Sequence, residues 1–188
     1  MPRIPYPDRQ ELPTDLGAYL DQLPPHAAFD MLSHSPATIK NFLKQAGAQF
    51  TRLELSPRNR ELTILTTASA IDCAYEFVQH VPISESVGVS ATEREAIRRK
   101  EFGSPELSED DRALIGFVAA VVAGPTVPDE IFAPVNERFS PREILEVMQV
   151  TGYYWSFGRV CTVLEVEVEA DHGNAVIEVS RRLHDAAS

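Results

Sequence analysis

Between residues 60 and 80 the chain sets Glu61, Cys73, Glu76 and His80 among mostly apolar neighbours. Two carboxylates, a thiol and an imidazole in one short segment form a proton-transfer set. A carboxyl among apolar groups has its charged form disfavoured and keeps its proton to higher pH. An imidazole within reach then serves as general base or acid, and two carboxylates in unlike surroundings can divide those roles. A thiol beside them is either a further proton carrier or a nucleophile.

Spacing sharpens the set. Cys73, Glu76 and His80 stand at i, i+3 and i+7, one stripe of one helix. Asp72 is placed to cap that helix, which puts Cys73 in the first turn, where the dipole and free N–H groups favour a thiolate. The charges of Asp72 and Glu76 act the other way. Glu61 belongs to the preceding helix and needs a break within residues 69–72 to fold back onto the stripe. Each residue alone has a simpler reading: Glu76 and His80 as an i,i+4 surface pair, Cys73 as a small hydrophobe, Glu61 as a first-turn residue. The coincidence of all four argues for a site. Glu61, Glu76 and His80 lack the paired histidines of an HExxH zinc motif, so neither metal nor cofactor is expected.

The positioning elements are helices. Ser35-Pro36, Ser56-Pro57 and Ser140-Pro141 read as helix starts, as do Ser90-x-x-Glu93 and Ser108-x-x-Asp111. In each, the serine can accept a first-turn N–H, and a following proline gives up nothing at the first helical position. Gly88 and Gly124-Pro125 read as stops. Alternation over residues 163–169 suits a strand, but a lone strand has no partner, so a helix end and extended chain are expected there. Residues 173–187 read as a terminal amphipathic helix. The whole is an all-α protein of about seven or eight helices. Six prolines within residues 1–25 exclude a continuous helix and suggest an extended arm with one short turn at 15–22, followed by a single domain over 26–188.

Bulk properties narrow the partners. A net charge of −11 on 188 residues repels phosphate backbones and anionic membranes, so nucleic acid is excluded as a partner. The apolar run at 113–124 is shorter than the ~20 residues of a membrane span. The N-terminal residues lack the apolar core of a signal peptide, so a cytoplasmic protein with reduced thiols is expected. Tyr153, Tyr154, Trp155 and Phe157 cannot share one helix face, so some meet the core and others a pocket or partner. Arg159 reads as a salt-bridge residue, and His26, His34, His172 and His184 as non-catalytic.

Arg60-Glu61-Leu62-Thr63-Ile64-Leu65, Tyr75-Glu76-Phe77-x-x-His80 and Gly88-Val89-Ser90-x-x-Glu93 resemble the signature of the carboxymuconolactone decarboxylase family, which shares its fold with alkylhydroperoxidase D. His34-Ser35-Pro36, Phe139-Ser140-Pro141-Arg142-Glu143 and Gly152-Tyr153-Tyr154 extend the resemblance over residues 29–169. It implies an all-helical fold, a homo-oligomer (dimer, trimer or hexamer), pockets near subunit contacts and a small-molecule substrate. The peroxidase branch of that family uses Glu, Cys-x-x-Cys and His. Glu61, Cys73 and His80 match its Glu, first Cys and His, but Glu76 replaces its second Cys, so Cys73 lacks the local partner of the usual redox cycle. Tyr75-Glu76 with His80 resembles the decarboxylase branch. That implies Glu76 and His80 as the acid/base pair, Glu61 and Cys73 as helpers, Tyr75 as a substrate contact, and cofactor-independent chemistry on a small organic acid or lactone. A thiol peroxidase acting through Cys73, or a non-catalytic oligomeric relative, are the alternatives.

Overall fold

The computed structural model describes residues 1–169; the helix expected at 173–187 lies outside them. Nine α-helices and one 3-10 turn (Arg9–Glu11) follow one another: α1 Thr14–Leu20, α2 Ala27–Leu32, α3 Pro36–Thr51, α4 Pro57–Ala70, α5 Ala74–Ser86, α6 Ala91–Arg98, α7 Glu109–Ala123, α8 Asp129–Arg138 and α9 Pro141–Val163. There is no strand among the described residues, and residues 166–169 run as extended chain. No helix among them is long and apolar enough to cross a membrane.

The serine caps form where local sequence places them. Ser90, Ser108 and Ser140 each close a full capping box, and Ser56 accepts from the Asn59 N–H. Each such cap is worth about 1 kcal/mol. Ser35 departs from the expectation: it caps nothing, and its hydroxyl instead accepts from Thr38 Oγ1 at 2.7 Å. Helices α2 and α8 exceed the expected count. Pro128 followed by Asp129 and Glu130 is a sound start for α8, but Pro134 inside it masks the helical pattern.

Helix α4 is the axis of the fold. Every residue from Arg60 to Ser69 is buried, and α5, α6, α7 and α9 pack around it. A helix buried on all sides must satisfy its polar groups internally. Thr63 and Thr67 donate to carbonyls one turn back, and Ser69 donates to the Ile97 carbonyl on α6.

The break after α4 is a Schellman turn. Cys73 N–H reaches the Ala68 carbonyl at 2.8 Å and Asp72 N–H the Ser69 carbonyl at 3.1 Å. Asp72 therefore adopts φ 57°, the left-handed conformation usually given to glycine. This corrects the sequence expectation by one residue: Cys73, not Asp72, is the N-cap of α5. The Asp72 carboxylate instead meets Lys100 at 2.7 Å, and Lys100 is itself left-handed (φ 60°) at the matching end of α6.

The proline-rich N-terminal residues lie on their own chain. Leu16 and Leu20 of α1 are buried in the core, Arg3 N–H bonds the Leu164 carbonyl at 2.9 Å, and Arg9 bridges Asp21 and Asp30.

Candidate functional site

The turn at Ile71–Asp72 folds α5 back along α4, which brings His80 onto Glu61, one turn into α4. His80 Nδ1 lies 2.8 Å from Glu61 Oε2. The other Glu61 oxygen accepts Arg60 Nε–H at 3.0 Å, and both residues are buried. Buried charges persist when paired and hydrogen-bonded, and Arg60 further stacks 4.3 Å over the Phe50 ring. A carboxylate only accepts, so His80 presents a proton on Nδ1 to Glu61 and turns Nε2 away from it. Tyr154 meets the imidazole edge-on at 5.0 Å and Phe50 stacks at 6.3 Å, which fixes the ring's tilt.

His80 Nε2 stands 3.6 Å from Glu76 Oε2, beyond a direct hydrogen bond. The other Glu76 oxygen is buried with no hydrogen-bond partner among the described residues. Burial first, then the negative charges of Cys73 and Glu61, push the Glu76 carboxyl well above the ordinary carboxylate range. Glu76 is therefore held as an acid. Its position explains its missing partner. A glutamate three residues into a helix usually reaches back to the cap N–H, but the Cys73 N–H is already spent on Ala68.

Glu76 and His80 line a cavity of about 80 Å³ with His26, Phe50, Tyr153, Tyr154 and Phe157 among its walls and Lys44 at its rim. Of the four aromatics expected to split between core and pocket, Tyr153, Tyr154 and Phe157 face this cavity, and Trp155 is exposed. Arg159 forms no ion pair among the described residues and lies 5.6 Å over the Trp155 ring.

Tyr75 does not line the cavity. Its hydroxyl sits 2.6 Å from His26 Nδ1, donates to Glu169 Oε1 at 2.6 Å and accepts from the Ala28 N–H. Burial and then the Glu169 hydrogen bond hold its proton on far above the usual phenol range. His26, read from sequence as non-catalytic, is thus a buried cavity-wall residue oriented through Tyr75. Nothing local announces this, because the partners are 49 residues apart.

Cys73 lies outside that cavity's walls, against Gly158 of α9. A Cβ built on Gly158 would stand 3.4 Å from the Cys73 sulfur and 2.6 Å from Ile71 Cδ1. Cys161 comes within hydrogen-bonding reach of Cys73. The one sequence signal for this approach is a glycine inside an aromatic-rich helix, which often marks close packing.

No protein-family model matches this sequence, and neither does any curated protein. Among solved structures, the chain is similar to the alkylhydroperoxidase D core of an uncharacterized peroxidase-related protein from Ralstonia eutropha JMP134, with 18% identity over 96% of each chain and a TM-score of 0.75. It is also similar to an uncharacterized peroxidase-related protein from Silicibacter sp. TM1040, with 18% identity over 90% of this chain and 92% of that one and a TM-score of 0.74. A protein of unknown function from Agrobacterium tumefaciens matches at 24% identity over 73% of this chain and 94% of that one, with a TM-score of 0.67. The chain therefore has the alkylhydroperoxidase D-like fold.

Proposed function

We propose that this is a cytoplasmic, carboxymuconolactone decarboxylase-like enzyme that moves protons on a small organic acid or lactone without a cofactor. The observation that carries the reading is the Glu61–His80–Glu76 line: a charged carboxylate orients the imidazole, whose free nitrogen faces an acid that has no other partner. Three groups in this order divide the work of a proton transfer.

In the proposed step the substrate's reacting carbon lies between His80 Nε2 and Glu76. His80 takes a proton as general base, and Glu61 stabilises the imidazolium that forms. Glu76, kept neutral by burial, returns a proton to the enolate carbon or oxygen. For a decarboxylation the departing carboxylate leaves its bonding pair on a carbon next to a carbonyl, and Glu76 protonates that carbon. The apolar walls exclude water, which strengthens each of these interactions. Lys44 at the rim offers a cation to a second carboxylate of the substrate.

The test is turnover of lactones and β-keto acids by the full chain and by His80→Ala. A general base contributes about 10²–10⁴-fold, so a loss of that size is expected. Unchanged turnover in His80→Ala removes the reading. A homo-oligomer belongs to the same proposal, supported by the apolar stripe of Leu145, Met148, Trp155 and Val163 exposed along α9. Sedimentation of a monomer at micromolar concentration would remove that part.

A further inference from the structure

The acid/base reading makes and breaks no bond at sulfur, yet the chain's two cysteines, Cys73 and Cys161, are buried, unbridged and adjacent. They come from distant sequence: the N-cap of α5 and the last turn of α9. Gly158 makes the approach feasible, since a side chain there would occupy the space of Ile71 and press on Cys73. Helical side chains lean toward the helix N-terminus. Cys161, three residues beyond Gly158, therefore leans over the gap that the glycine leaves, and Cys73 fills that gap from the other helix.

We propose that Cys73 and Cys161 form a redox-active dithiol that closes to an inter-helix disulfide when a small hydroperoxide reaches Cys73. The two sulfurs have unequal roles. The Cys161 S–H draws Cys73 toward the thiolate, against burial, and the N–H groups of Glu76 and Tyr75 and the charge of Arg159 add to that pull. Cys73 makes no regular cap hydrogen bond, but its sulfur lies in the positive field at the start of α5. Cys161, the donor in that contact and buried, is held as the thiol.

The thiolate is the nucleophile in sulfur chemistry. Cys73 attacks one oxygen of the hydroperoxide, so an S–O bond forms, the O–O bond breaks, and the leaving alkoxide takes a proton to become an alcohol. Cys73 is then a sulfenic acid. The Cys161 sulfur gives up its proton and attacks the Cys73 sulfur. The S–S bond forms, the S–O bond breaks, and hydroxide leaves with that proton as water. Two electrons pass from the two thiols to one peroxide, and an external dithiol reverses the bridge. A hollow of about 330 Å³, lined by Cys73 with Phe77, Val78 and Arg98, leads to this sulfur. Its walls share no residue with the cavity of Glu76 and His80.

The experiment treats the reduced full chain with one equivalent of cumene hydroperoxide, then measures free thiols after denaturation and intact mass without reductant. Both thiols should vanish together, the mass should fall by two hydrogens, and a non-reducing digest should join the Cys73 and Cys161 peptides. Cys161→Ala should stop at a sulfenic acid that dimedone traps on Cys73. In Cys73→Ala the remaining thiol should react roughly ten-fold more slowly or less. Loss of thiols without a joined peptide, a disulfide between two chains, or undiminished reaction of Cys161 without Cys73 would overturn the proposal. If the alanine variants fail to fold, iodoacetamide labelling of the wild type decides: Cys73 must be alkylated first, and equal labelling overturns it. Thiol content and mass are read here, not turnover of an organic acid, so this result and the acid/base reading fail separately.

Discussion

The Glu76 carboxyl and the Cys73 thiol stand three residues apart on one helix, both almost wholly buried, and are driven in opposite directions. Burial disfavours charge on both. Glu76 has no donor on its free oxygen and faces the charges of Cys73 and Glu61, so it keeps its proton. Cys73 faces the Cys161 S–H and the first N–H groups of α5, so its charged form is favoured. Depth alone does not decide ionisation. The donors within reach do, and a single turn of helix separates a site suited to protons from one suited to electrons.

The hardest way to break this comparison is to leave a charge behind. Arg60→Met strands the buried Glu61 carboxylate, and breaking a buried pair from one side costs about 3–5 kcal/mol. Chemical denaturation should show that loss, together with weaker orientation of His80. A loss under 1 kcal/mol would mean that Glu61 is not held as an ion.

Gly158→Ala tests the thiol side. The new methyl would stand 2.6 Å from Ile71 Cδ1 and 3.4 Å from the Cys73 sulfur. Overpacking of this kind costs about 1–3 kcal/mol, part of which a rotation of Ile71 can relieve. Disulfide closure should slow while the response of turnover to His80→Ala stays as it was. Closure at the wild-type rate would mean that the gap at Gly158 does not set the approach of the two sulfurs.

Glu76→Gln tests the proton side through pH. The folded chain holds a proton on Glu76 that the unfolded chain releases above the ordinary value of 4.5. The raised value thus contributes stability that is fully present below about 4.5 and is lost as pH rises toward the folded value. Glu76→Gln should flatten that decline, with a gain on the order of 1–2 kcal/mol over wild type at pH 8. Denaturant midpoints at pH 5 and pH 8 measure it, and parallel profiles would show that Glu76 is ionised throughout.

The subtlest outcome joins the two regions. Oxidation removes the Cys73 charge that helps raise Glu76. In the disulfide form Glu76 should give up its proton at lower pH, moving the alkaline limb of the pH–rate profile downward. Superimposable profiles of reduced and oxidised protein would mean that the two regions do not communicate.

Features set by adjacent residues were legible in the chain. Ser90, Ser108 and Ser140 cap as their spacing demands, because a serine and an acid three residues later need only each other. The break between α4 and α5 was legible as permitted, but its form was not. Asp72 takes the left-handed position where glycine is the usual signal, which shifts the cap to Cys73 and frees the Glu76 carboxyl. His26 was illegible as a wall residue and Cys161 as a neighbour, since each is placed by helices far off in sequence.

By itself the sequence determined an all-helical chain and gathered Glu61, Cys73, Glu76 and His80 onto two consecutive helices, because helical periodicity and capping are local. Only the tertiary structure decided which of them meet and what proton each holds. Glu61 joins His80 because the turn at Asp72 reverses the chain, and Glu76 keeps its proton because packing around α4 removes both water and donors. Cys73 gains Cys161 because Gly158 lets α9 come close. Ionisation in a protein interior depends on the sum of burial and nearby donors, and that sum exists only once distant helices have packed.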